Sequence, residues 1–251
     1  MLDWAATGLA AGGVFAALGV YDVLQRIAIR RSPEAHQWAV SGMARAINRA
    51  TMLSGARFRV EGLEHVVRGQ NYILVANHQS LLDISMASDF LEHLHPRYIS
   101  KRENAQGIPG VAYNLIHGGS AIIDRKDPAR AVEAIAALGR RIATDHWSVV
   151  IYPEGTRSRT GTPRPFREAG LKALVRAAPG VPVLPVTGWG GSKLFRHGLR
   201  PIVRNVEMGF KVHPAVTAPD PDDDAAFTAW VQGLRQLIIA SLPPEDLAGS
   251  W

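Results

Sequence analysis

Tyr72-Ile73-Leu74-Val75-Ala76-Asn77-His78-Gln79-Ser80-Leu81-Leu82-Asp83 passes from an uninterrupted apolar run, through a polar turn, into a helical pattern. Successive side chains of a strand point to opposite faces, so a run that is apolar at every position predicts a strand buried on both sides. Ser148-Val149-Val150-Ile151-Tyr152 has the same character. Outward from these two, further strands are predicted at 58–61, 98–100, 120–123, 181–186 and 206–212. Helical patterns fall at 80–92, 129–145, 169–177 and 224–241. Alternation of this kind argues for an α/β fold with a central, at least partly parallel sheet flanked by helices. Ligands of such sheets bind beyond the carboxyl ends of the strands, so the residues that follow each strand carry the question of function.

After Ala76 come His78 and Asp83. Five residues within one regular helix would place two side chains about 140° apart. Ser80, however, reads as an N-cap with Asp83 at the third helical position, which leaves His78 on the entering turn, free to fold back. A carboxylate on one imidazole nitrogen fixes the tautomer and suits the other nitrogen to take a proton. Taken alone, the stretch is equally a capped helix with an incidental histidine. Two more strand ends add cations. Asp124-Arg125 follows the 120–123 run, and Pro153-Glu154-Gly155-Thr156-Arg157-Ser158-Arg159 follows the 148–152 run. Gly155 permits a tight turn with exposed amides, and arginine matches phosphate with two parallel hydrogen bonds. Each arginine singly fits a solvated surface. Together they describe an edge that activates a hydroxyl on a phosphorylated molecule.

Composition narrows the chemistry. The 251 residues are enough for a full core. There is no cysteine, which excludes disulfides, cysteine-ligated metal and a thiol nucleophile. The net charge is +6, and residues 23 to 60 alone hold Arg26, Arg30, Arg31, Arg45, Arg49, Arg57 and Arg59 against a single acid, Glu34. Nucleic acid, anionic lipid or an acidic substrate would each suit that balance.

The same region reads as a membrane-associating unit. Residues 4 to 21 carry no charge and include Leu9, Val14, Phe15, Leu18 and Val20, but Gly8, Gly12, Gly13 and Gly19 dilute them. A bilayer span takes about 20 mainly apolar residues, so this run is at the lower limit. Gln37 to Leu53 interleaves Trp38, Val40, Met43 and Ile47 with Arg45 and Arg49, a basic amphipathic pattern suited to an anionic surface. Two ordinary helices packed on the core are the plainer alternative. The expected organisation is an N-terminal apolar and amphipathic helical pair over 1–55 that docks on a membrane, followed by the α/β domain over 56–251.

From Asn71 to about Ser192 the chain resembles the glycerophospholipid acyltransferase family, in particular bacterial lysophosphatidic acid (1-acylglycerol-3-phosphate) acyltransferases. Four blocks carry the resemblance in order: His78 to Asp83; Gly119-Ser120-Ala121-Ile122-Ile123-Asp124-Arg125; Glu154-Gly155-Thr156-Arg157; and Val181-Pro182-Val183-Leu184-Pro185-Val186. Lys101 is similar to a family lysine near the acceptor phosphate. Pro165 to Gly170 follows the family's pattern too, except that Glu168 stands where a second basic residue would follow Arg167. The resemblance implies acyl transfer from acyl-CoA or acyl carrier protein to the sn-2 hydroxyl of a lysophospholipid at an anionic membrane surface. His78 would be the general base and Asp83 its orienting acid, with no acyl-enzyme. It further implies that Lys101, Arg125, Glu154, Gly155, Thr156 and Arg157 bind substrate, that neither metal nor cofactor takes part, and that the chain works at the inner face of the cytoplasmic membrane, as a peripheral protein or through one N-terminal span.

Other readings fit less of the chain. A related acyltransferase for another lysolipid, such as a lyso-ornithine lipid, would share every block. A serine esterase would show Gly-x-Ser-x-Gly, and neither Ser120 nor Ser192 completes it. His93 and His95 are too few for a metal hydrolase and read as solvated. A lipid- or nucleic-acid-binding module would not need the histidine–aspartate pair, and no nucleic-acid reader motif is present. Trp189 reads as a packed loop aromatic in preference to an acyl-groove wall.

Overall fold

The computed structural model describes residues 2–198 and 201–247. Two helices open the chain, α1 (Leu2–Ala28) and α2 (Pro33–Met52). The α/β part runs β1 (Arg57–Glu61), β2 (Ile73–Ala76), α3 (Leu82–Phe90), β3 (Pro96–Lys101), α4 (Val111–His117), β4 (Ala121–Ile123), α5 (Pro128–Thr144), β5 (Ser148–Ile151), α6 (Glu168–Ala177) and β6 (Val183–Trp189). It closes with α7 (Gly191–Leu194), β7 (Glu207–Val212), α8 (Asp224–Ala240) and α9 (Pro244–Leu247). The strands form one sheet in the order β1-β7-β6-β2-β5-β3-β4. Every neighbouring pair is parallel except β6 with β7.

The apolar runs behave as two-sided strands. Leu74, Ala76, Val150, Leu184 and Val186 face one core, while Ile73, Val75, Val149, Ile151 and Val183 face the other. The second core is closed by Ile135, Leu138 and Ile142 of α5, Leu171 and Leu174 of α6, and Phe227, Val231 and Leu234 of α8. Asp127 and Asp223 cap α5 and α8 by accepting hydrogen bonds from Arg130 and Ala226 amides. The first core is closed by α3 together with Ala17 and Leu18 of α1 and Met43 and Ile47 of α2.

This packing changes the reading of the N-terminal region in three respects. The apolar residues of α2 divide: Val40, Met43 and Ile47 are buried, whereas Trp38, Met52 and Leu53 are exposed. Those of α1 divide likewise, with Leu18 in the core and Trp4, Leu9, Phe15, Val20, Val23 and Ile27 outside. Three of the seven arginines are also neutralised locally: Arg26 by Asp22, Arg45 by Asp89 and Glu92 of the α3 region, and Arg59 by Glu61. The glycines of α1 are partly explained, since a Cβ on Gly13 would lie 2.9 Å from Ala50 Cβ, so this residue lets α1 and α2 approach. One core therefore crosses the boundary expected at residues 55 and 56.

Candidate active site

β2, β3, β4, β5 and β6 run parallel, so the loops beyond Ala76, Lys101, Ile123, Ile151 and Trp189 lie on one edge of the sheet. Asn77 ties two of these ends together: its amide nitrogen donates to Gly188 O at 2.8 Å and its oxygen accepts from Gly188 N at 2.7 Å. The chain is thus held at the residue before His78.

His78 and Asp83 meet. His78 Nδ1 lies 2.8 Å from Asp83 Oδ2, with both side chains largely buried. The same oxygen accepts from the amides of Gln79 at 2.6 Å and Ser80 at 2.9 Å, and Ser80 Oγ donates to Oδ1 at 3.2 Å. Asp83 is therefore held at the helix start as well as at the imidazole. The expected cap is displaced: α3 begins at Leu82 with Leu81 at the N-cap, and Ser80 Oγ still accepts from the Leu82 amide at 3.2 Å. Among the described residues His78 Nε2 has no hydrogen-bond partner. With Nδ1 committed to a carboxylate, Nε2 is the nitrogen left to accept a proton from a ligand.

Glu154 is placed differently from its neighbours in the same block. It is 2% exposed, and its two oxygens accept from the backbone amides of His78 and Arg164, each at 2.7 Å. Burial raises its carboxyl from the usual 4.5 to about 7, against the lowering effect of the Arg164 and His78 amides. Ser158 N donates to His78 O at 2.7 Å, so both backbone groups of His78 are tied to the segment after β5. Glu154 braces the histidine loop; it makes no ion pair with the arginines.

Those arginines converge elsewhere. Gly155, at φ +70°, closes a tight turn through its amide to Tyr152 O at 2.9 Å. The guanidinium groups of Arg125 and Arg167 lie beside this turn, 3.5 Å and 3.6 Å from where a Cβ would stand, which is ordinary contact, so it is the positive φ that calls for glycine. Partial burial, then Arg125, lowers the Lys101 ammonium from its usual value, with Arg157 and Arg167 adding and Glu103 opposing. Burial and then Arg167 lower Arg125 in the same way. Among the described residues none of Lys101, Arg125, Arg157 and Arg167 has an ion-pair partner, and the amides of Thr156 and Arg157 have no acceptor. Four cations without an ion-pair partner, three of which act on Lys101, make an arrangement suited to a multiply charged anion. Arg167 was visible in the sequence only as part of a pattern. Glu168, beside it, turns away to accept from Thr228 Oγ1 at 2.9 Å.

Two further features were not legible. Tyr152 lies under His78, with ring centroids 4.2 Å apart and planes at 22°. Below the pair is an apolar cavity lined by Leu74, Met86, Leu91, Val150, Val186 and Phe210, which reaches Asp83 and Tyr152. Trp189 is not part of it. That side chain is 7% exposed and packs over Gly209, where a Cβ would meet the indole at 2.3 Å.

The chain is similar to known proteins. The profile of the family described as Acyltransferase matches residues 57–189. The mouse protein named 1-acyl-sn-glycerol-3-phosphate acyltransferase alpha is 29% identical over 204 residues, which is 80% of this chain and 70% of the mouse protein. The sheep protein of the same name is 35% identical over 136 residues, 53% of this chain and 45% of that protein. The chain thus spans about half the length of several curated relatives it matches. A crystal structure described as the 1-acyl-sn-glycerophosphate (LPA) acyltransferase PlsC from Thermotoga maritima superposes with a TM-score of 0.71 at 21% identity. It covers 96% of this chain and 97% of its own, a likeness of fold that includes the two N-terminal helices. The profile takes in more than half of the sequence, including His78, Asp83, Lys101, Arg125 and the Glu154–Arg157 block, and the chain belongs to the acyltransferase family.

Proposed function

We propose that this acyltransferase moves a fatty acyl group from a thioester, acyl-CoA or acyl carrier protein, to the sn-2 hydroxyl of lysophosphatidic acid, giving phosphatidic acid. The observation that carries the reading is the juxtaposition, on one sheet edge, of an oriented imidazole and four unpaired cations. The acceptor named by the relatives has both a hydroxyl and a phosphate. His78 Nε2 takes the hydroxyl proton while Asp83 holds Nδ1 and supports the imidazolium. The alkoxide attacks the thioester carbonyl. The tetrahedral intermediate expels the thiolate, which recovers the proton from His78, so no acyl-enzyme forms. General base catalysis is worth about 10² to 10⁴ in rate, and positioning of both substrates supplies much of the rest. Lys101, Arg125, Arg157 and Arg167 hold the phosphate. The Thr156 and Arg157 amides are presented by the turn at Gly155, and Glu154 acts through the loop it braces. The chemistry calls on no cofactor or metal.

The acceptor resides in a membrane, and the exposed apolar residues of α1 and α2 are suited to reach it. The stretch Asp3–Ala28 is apolar enough to cross a bilayer. Its inner side, however, closes the protein's own core, so a span would expose Leu18 and Ala17 to lipid and strip the sheet of cover. Docking on the inner face of the cytoplasmic membrane, with α1 and α2 in the interface, keeps both. Arg30, Arg31, Arg49 and Arg57, which have no ion pair among the described residues, would add attraction to anionic lipid.

A transfer to a phosphate-free lysolipid is the second reading, and the unpaired cations weigh against it. The test is purified protein in anionic vesicles, given a labelled acyl-CoA or acyl carrier protein with either lysophosphatidic acid or lyso-ornithine lipid. Labelled phosphatidic acid is the expected product. Preferential labelling of the phosphate-free lipid would overturn the assignment.

A further inference from the structure

The imidazole of His78 is constrained on two sides, and only one constraint belongs to the histidine–aspartate pair. Asp83 holds the Nδ1 edge at 2.8 Å. The ring of Tyr152 lies against one face, 4.2 Å away and within 22° of parallel. Tyr152 is itself well fixed. It ends the segment that continues β5, it precedes Pro153, which restricts it to extended backbone, and its carbonyl accepts from Gly155 N at 2.9 Å. Its ring also packs on the first core and lines the apolar cavity, and Tyr98 and Asp83 lie near enough to act on its hydroxyl. Burial pushes its hydroxyl well above the usual value, so the phenol stays neutral and its ring face stays electron-rich.

We propose that Tyr152 is a positioning residue for His78, supplying the floor on which the imidazole stands and the negative ring face that the imidazolium meets when it takes the acceptor's proton. The inference rests on the reading of His78 as the general base. A neutral imidazole gains mainly stacking from such a floor. An imidazolium gains in addition the attraction of a cation for the face of an aromatic ring. The gain is larger after proton transfer than before it, which is the condition for an effect on turnover. By the usual strength of such contacts, its complete loss corresponds to about three- to thirty-fold in kcat. A phenyl ring has the same face, so the hydroxyl is not required.

The experiment replaces the ring face without replacing the ring. Full-length Tyr152→Phe is compared with Tyr152→4-fluorophenylalanine, Tyr152→3,5-difluorophenylalanine and Tyr152→pentafluorophenylalanine, assayed in vesicles with lysophosphatidic acid. Tyr152→Phe should stay within a few-fold of wild type. Fluorination drains the ring face at nearly constant shape, and kcat should fall stepwise to about ten-fold below Tyr152→Phe, while KM for the acceptor holds. A flat series, or one in which KM rises and kcat holds, overturns the proposal. His78→Ala run alongside separates the two ideas. If it is inactive and the series is flat, only the role of Tyr152 falls. If it retains turnover, the base assignment falls and Tyr152 with it.

Discussion

Glu154→Gln sets two consequences of one buried carboxylate against each other. In the folded protein the carboxyl is raised to about 7 from the usual 4.5, chiefly by burial. Between those values the folded state keeps a proton that the unfolded chain has released. The folded state therefore binds more protons, and stability falls as pH rises through this window, levelling off above 7. Over pH 5 to 8 the loss amounts to roughly 2 to 3 kcal/mol. Glutamine never ionises and escapes it. The substitution also has a fixed cost, because one of the two amides at 2.7 Å, from His78 or Arg164, then faces an NH2 group. A buried donor left without an acceptor costs about 1 to 3 kcal/mol at any pH. Urea unfolding of both proteins at pH 5, 6, 7 and 8, followed by tryptophan fluorescence, should thus show Glu154→Gln gaining on wild type by roughly 2 to 3 kcal/mol from pH 5 to pH 8. Groups common to both proteins cancel in that difference. Activity should move the other way. Release of the clamp lets the His78 loop shift, and a misplacement of about 1 Å costs on the order of 10² in rate. A stability difference that is flat across pH would show that this carboxyl does not keep its proton toward neutral pH, and full turnover in Glu154→Gln would show that its clamp does not position His78.

His78→Ala should lose at least about 10² in kcat with the fold retained by circular dichroism. Asp83→Asn should also be impaired, since an amide cannot accept three hydrogen bonds on one oxygen and keep the imidazole tautomer. Near-native turnover in either would falsify the catalytic assignment. Arg125→Ala and Arg157→Ala should weaken use of lysophosphatidic acid more than use of a phosphate-free lysolipid, and equal losses on both would mark them as structural. Trp4→Glu with Phe15→Glu should reduce sedimentation with anionic vesicles while leaving thermal stability unchanged, because both side chains lie outside the core. High salt should weaken the wild-type interaction without abolishing it. A chain beginning at residue 56 should expose the sheet face now covered by Leu18, Met43 and Ile47, and aggregate or unfold. A cooperative, soluble truncated protein would show that the helices are dispensable to the fold.

Much of this protein is local. Strands that are apolar at every position and a histidine left on the turn that enters α3 both act within a few residues and follow from the amino-acid order alone. The His78–Asp83 pair belongs here, because Ser80, Asp83 and the entering turn are close neighbours in the chain. Tertiary structure decided whatever joins distant residues. Asn77 meets Gly188 across 111 positions, and Glu154 reaches His78 across 76. Both contacts depend on strand order, which no local pattern encodes. Tyr152 came under His78 only because β2 and β5 are neighbours in the sheet. The N-terminal helices make the same point. Hydropathy gave two apolar patterns but could not divide Leu18 from Phe15 or Met43 from Trp38, since a side chain equally suits a core or a lipid surface until the partner face is in place.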